Sequence, residues 1–156
     1  MSPAVPEGSP RVVVVGEVNP YGADPSLALY HLPRRASGDR FRTIAGLSDA
    51  DYLRHLARRN LCLGRWEARS ARLAAQAVLG EGFEVCVLLG RRVADAFGGN
   101  ASFYLVQREG RLLLSLPHPS GRCRVWNEPW AAARAREVLR LAAPWVPWGT
   151  WPRRDE

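Results

Sequence analysis

Arg11 opens a run of four valines, Val12 to Val15, that ends at Gly16. The run is too short for a helix and β-branched throughout, the pattern of a central strand buried on both faces. Gly16-Glu17-Val18-Asn19-Pro20-Tyr21-Gly22 follows, and Pro20 with the flanking glycines makes it a loop at the C-terminal end of that strand. Ser48 with Asp51 three residues later predicts a capped helix start, and Tyr52, Leu53, Leu56 and Ala57 give that helix an apolar face up to Arg58 and Arg59. Asn60 to Leu63 then predicts a short strand. Trp66 to Leu79 has helical period, with Leu73, Ala74, Ala77 and Val78 inward and Arg65, Arg69 and Arg72 outward. Val85 to Leu89 is a second buried strand, turning at Gly90 into a short helix, Arg91 to Phe97. Phe103 to Gln107 and Arg111 to Ser115 alternate about Arg108-Glu109-Gly110 as a hairpin, whose second strand leads into Pro117-His118-Pro119-Ser120-Gly121. A last helix is expected from near Asn127 to before Pro144.

Strands and helices therefore alternate, which predicts an α/β fold: three layers, α/β/α, around a mostly parallel central sheet. Residues 1–10, rich in Pro, Ser and Gly, are expected to be a loose leader, 11–143 a single domain, and 144–156 a Trp/Pro-rich tail. Trp145, Trp148 and Trp151 recur every third residue, the period of a polyproline helix, which would line the rings along one side.

Composition narrows the chemistry. The chain has 156 residues, 47% of them apolar, with 22 basic residues against 15 acidic and a net charge of +7. All the basic residues are arginine. Without lysine there is no side-chain amine to form an imine and no P-loop lysine. The positive field favours polyanionic partners. No apolar run near the start approaches the roughly 20 residues of a membrane span, so a cytosolic protein without a membrane partner is expected. Cys62, Cys86 and Cys123 are odd in number and lack CxxC spacing, and His31, His55 and His118 are dispersed, so no disulfide framework and no metal site is expected. The thiols are expected to be free and buried or half-buried.

Two loops remain that could carry chemistry, Gly16 to Gly22 and Pro117 to Gly121, each after a strand of a sheet whose C-terminal edge is the usual ligand site. Gly-x-Gly-x-x-Gly is absent after the first strand, and the serine after Pro119 is not a nucleophile elbow, because His118 stands where Gly-x-Ser-x-Gly needs glycine. No dinucleotide cofactor is therefore expected.

Val18-Asn19-Pro20-Tyr21 and His118-Pro119-Ser120-Gly121-Arg122, with Val85 to Ala94 as a strand, glycine, helix element between them, resemble the uracil-DNA glycosylase superfamily over roughly residues 12 to 127. The resemblance implies that fold and a monofunctional DNA glycosylase that flips uracil or another deaminated base from DNA and hydrolyses its glycosidic bond, acting as a monomer without cofactor. It places Asn19 where the family holds the attacking water, and His118 where a neutral imidazole donates to the departing base anion. Tyr21 falls where the family's tyrosine closes the pocket against a 5-methyl group. Tyr30 is matched to the aromatic that stacks on the flipped base and Asn60 to the amide that reads the pyrimidine edge, offering donor and acceptor together. Ser120, Gly121, Arg122 and Arg124 are matched to DNA contacts; Arg122 takes the place of the wedge, usually leucine. Arg34 and Arg35, beside the loops, are further phosphate contacts to expect.

The first motif also fits a second register. Gly16-Glu17 matches the Gly-Glu-Ala-Pro-Gly form of the iron-sulfur branch with one residue inserted, although the four cluster cysteines of that branch are absent. Glu17, unlike an amide, could take a proton from water. Asn19 is the first choice because its register keeps three side chains in family positions, and Glu17 is the second. Two other functions share the fold: a nucleic-acid or nucleobase-binding module without turnover, and a hydrolase of free nucleosides or nucleotides.

Overall fold

The structure, a computed structural model, describes residues 9–19, 22 and 24–152; the expectations for the leader up to residue 8 and for Tyr21 lie outside them. Five strands form one sheet: β1 (Val12–Asn19), β2 (Leu56–Leu63), β3 (Val85–Leu89), β4 (Leu105–Arg108) and β5 (Arg111–Leu116), in the order β2-β1-β3-β5-β4. All neighbours are parallel except the β4–β5 hairpin. Among the described residues the α-helices are α1 (Ser37–Ala45), α2 (Asp49–His55), α3 (Ala68–Gly80), α4 (Arg91–Ala96) and α5 (Pro129–Ala142).

The valine run explains the layering. Side chains alternate across a strand, so Val12 and Val14 enter a core with Phe41 of α1, Tyr52 of α2 and Leu139 of α5. Val13 and Val15 enter a second core with Ala71, Ala75 and Val78 of α3 and Val93 of α4. Both faces of the sheet are thus covered, and the architecture is three-layer α/β/α.

Several expectations are corrected. The helix capped by Ser48, whose Oγ accepts from the Asp51 amide at 3.1 Å, stops at His55. Leu56 to Arg59 instead extend β2, an edge strand paired to β1 from Val12 onward, where Arg58 is held by the Ala28 carbonyl and Arg59 by the Glu81 carboxylate. In α3 the buried stripe is Ala71, Ala75 and Val78; Leu73 is 67% exposed and Ala77 lies outside. The helix begins at Ala68, because Glu67 caps it by accepting from the Arg69 and Ser70 amides, and it turns Ala71, Ala75 and Val78 onto the core of Val13 and Val15, which leaves Leu73 outside. A short 3-10 turn, Arg124–Asn127, precedes α5. The tryptophan segment is a series of turns rather than a polyproline helix: the Trp148 indole is buried and donates to the Ala143 carbonyl at 2.9 Å. Trp145 meets the Arg11 guanidinium and Trp151 that of Arg42, so the rings do not share a side. Cys62 and Cys86 are buried and Cys123 half-buried, all as free thiols. Among the described residues no helix is long and apolar enough to cross a membrane.

Candidate active site

The C-terminal ends of the parallel strands bring four of the expected residues to one cavity of about 250 Å³, lined by Glu17, Tyr30, Asn60 and His118 together with Leu29 and the first turn of α1. That is below the roughly 300–1,000 Å³ of pockets for drug-sized ligands, so it has room for one heterocycle.

Strand register sets the floor. Gly16 of β1 pairs with Asn60 of β2, and a methyl group at 16 would lie 2.6 Å from the Asn60 Oδ1. The bare glycine lets the amide of Asn60 lie across β1. Its Nδ2 is buried with no hydrogen-bond partner among the described residues. Buried polar atoms are rarely left unpaired, and a ligand carbonyl in the cavity would satisfy this one.

The wall opposite is the segment Ala28-Leu29-Tyr30. Leu29 sits at φ +49°, a left-handed conformation uncommon for a bulky residue. It is held from three directions. The buried Tyr52 hydroxyl donates to the Leu29 carbonyl at 2.6 Å, Arg58 donates to the Ala28 carbonyl at 3.0 Å, and Gly38 packs directly on the Leu29 and Tyr30 carbonyls. Tyr30 is thereby presented to the cavity, with His31 at 4.4 Å and the Arg58 guanidinium 5.4 Å from its ring. Ala36, Ser37 and Gly38 complete this side; the N-cap, Ala36, has no side-chain cap, so the positive end of α1 faces the cavity.

His118 follows β5. The Ser120 amide donates to its Nδ1 at 3.1 Å, so the neutral ring carries its proton on Nε2. The Trp126 indole donates to the His118 carbonyl at 3.0 Å and fixes the loop. Burial pushes the imidazole below the usual histidine value; the nearby Glu17 charge pulls it up but does not win. Glu17 and His118 are neighbours across Gly90: a methyl there would lie 3.3 Å from His118 Cβ and Cδ2 and 3.5 Å from a Glu17 oxygen.

The depressed value has a consequence for the fold. The unfolded chain takes up a proton near pH 6.5 while folded His118 still resists it. The contribution of neutral His118 to stability is therefore full above about pH 6.5 and declines as the pH falls through its lower folded value. Urea midpoints measured from pH 7.5 to pH 5 should drop across that window, and His118→Asn should flatten the drop; an equal slope in the variant would refute it.

Asn19 is placed elsewhere. Its side chain is 4% exposed, its Nδ2 donates to the Asp24 carbonyl at 3.0 Å, and it does not line the cavity. Glu17, the second choice for handling water, lines the cavity. Ser120 lies beside the cavity rather than in it, Gly121 is exposed against Arg40, and Arg122 and Arg124 are exposed, without ion pairs among the described residues. Arg34 is not available to phosphate: it forks onto Asp49 at 2.8 and 2.9 Å and reaches Asp39 at 3.1 Å. Apart from the Gly38-Asp39 step after Ser37, which marks a helix start, sequence patterns give no sign of Leu29, Gly38 or Trp126. Among the described residues no group of three or more His, Cys, Asp or Glu could hold a metal ion. No protein-family model matches the chain, and no curated protein is significantly similar to it.

Proposed function

We propose that the cavity takes a single base flipped out of DNA and that the chain is a monofunctional DNA glycosylase, excising uracil or a similarly altered base. The observation that carries this reading is the convergence of Glu17, Tyr30, Asn60 and His118 on one base-sized cavity. The Tyr30 ring supplies a stacking face, and the Asn60 amide offers a donor and an acceptor to one edge of a pyrimidine.

The chemistry then follows from the groups present. The C–N glycosidic bond breaks with its electron pair going to the base. His118 Nε2–H donates to the base oxygen where that charge collects, and the uncapped start of α1 adds favourable potential for the anion. A water on the sugar side gives its oxygen to the anomeric carbon and its proton to the Glu17 carboxylate. Strand cleavage through an imine is not expected, since no lysine can form one.

Incubation with uracil- and hypoxanthine-containing oligonucleotides, followed by alkali, should release free base and cleave the strand at the abasic site. An oligonucleotide that is bound with steep salt dependence yet never loses its base would instead make the chain a binding module.

A further inference from the structure

The partition between α1 and the His118 loop has a second side. Ala36 to Gly38 and His118 face the base cavity, whereas Arg35, Arg40, Pro119, Ser120 and Trp126 line an adjoining cleft of about 320 Å³. Neither Arg35 nor Arg40 has an ion pair among the described residues, and Arg40 lies against Gly121, where a methyl group would be 3.0 Å from its guanidinium. The one carboxylate in the cleft, Asp39, is already taken: Oδ1 accepts from Arg34 and Arg42, and Oδ2 from the Arg35 amide. The cleft is therefore cationic.

An aromatic row leads out of it. Trp126, tethered to the His118 carbonyl, meets Phe103 at 6.0 Å, and Phe103 meets Trp130 at 5.5 Å. Trp130 is 51% exposed. Phe103 is kept at φ +67°, a conformation a bulky residue adopts only where its surroundings impose it. Phe103 and Trp126 are half-buried against the core and back the exposed Trp130, and cationic groups beside such an exposed ring make the combination that binds a single strand, with phosphates on the arginines and a base stacked on the ring.

We propose that this cleft and row bind the unpaired strand beside the flipped nucleotide, with phosphates on Arg35 and Arg40 and a base on Trp130, so that single-stranded DNA is the preferred partner. This rests on the base-cavity reading for its neighbour but not for its own test. A base can stack on Trp130 only if its face is free, and paired bases in a duplex do not offer one.

The test uses the full chain and a fluorescein-labelled thymidine oligomer of about a dozen nucleotides, containing no uracil, read by anisotropy. The oligomer should bind at least about tenfold more tightly than the matched duplex. Trp130→Ala and Arg40→Gln should each weaken it roughly tenfold, with Trp130→Phe largely restoring affinity. Arg40→Gln should also reduce the salt slope by about 0.7. Equal or tighter duplex binding, indifference to both substitutions, or no binding of either probe overturns the proposal. Uracil excision is scored separately: excision with binding indifferent to Trp130 and Arg40 sinks this inference alone, whereas the expected binding without excision sinks the glycosylase reading and leaves the strand track standing.

Discussion

Glu17→Gln should lower the single-turnover rate of base excision by roughly 10²- to 10⁴-fold, the usual contribution of a positioned acid or base, while leaving the fold nearly unchanged. Glutamine has the same shape and can still hold a water, but it cannot accept the water's proton. Asn19→Ala should behave differently. Its amide ties the end of β1 to the Asp24 carbonyl at 3.0 Å, and losing a part-buried hydrogen bond costs about 0.5–1.5 kcal/mol. The expected signature is a lower urea midpoint with the chemical step reduced far less than in Glu17→Gln. Should Asn19→Ala remove the chemistry with stability intact, and Glu17→Gln keep it, the two roles are reversed.

Motif spacing ranks Asn19 first, whereas strand register brings Glu17 to the cavity. The cavity lies at the level where Gly16 pairs with Asn60, one residue before Glu17. Asn19 pairs with Leu63, three residues beyond that level at about 3.3 Å per residue, where it turns onto Asp24. Counting matched positions ranks the amide first, because a motif records spacing along one chain. The depth at which a neighbouring strand delivers its own side chain is set by register, and a single sequence carries no direct record of it.

Elsewhere the legible parts are those whose burial is apolar and regular. Val12 to Val15 and Val85 to Leu89 form β1 and β3 because every residue is wanted on one face or the other. The His118 loop was legible because prolines end β5. Helix α1 was not, and its interior shows why: besides Phe41 and Ala45 it buries Asp39 and Arg42, 8% and 3% exposed, joined at 2.8 Å. The Arg42 Nη1 also donates to the Leu47 carbonyl at 2.8 Å. A helix that buries an ion pair presents charges where hydrophobic periodicity is sought, so its amphipathic pattern is hidden. The same helix supplies the cavity wall and the arginine cleft, so much of the candidate site was invisible with it.

Gly38→Ala should be the most damaging small substitution in the protein. A methyl group at 38 would lie well inside 3.0 Å of the Leu29 and Tyr30 carbonyl oxygens. Both belong to backbone that cannot yield easily, since Leu29 is held in its left-handed conformation by Tyr52 and the preceding carbonyl by Arg58. Either α1 moves off the segment or Leu29-Tyr30 is pushed into the cavity. Overpacking of this kind costs about 3 kcal/mol or more when the neighbours cannot relax, and either response displaces the Tyr30 ring. A large fall in the urea midpoint is expected, with loss of base binding in whatever fraction stays folded. Gly80→Ala is the control. Position 80 ends α3 with nothing within 4 Å of an added methyl, and there the exchange should stabilise by about 0.4–1 kcal/mol through the unfolded chain. Equal midpoints for the two variants would mean that Gly38 is not the contact on which the cavity wall rests.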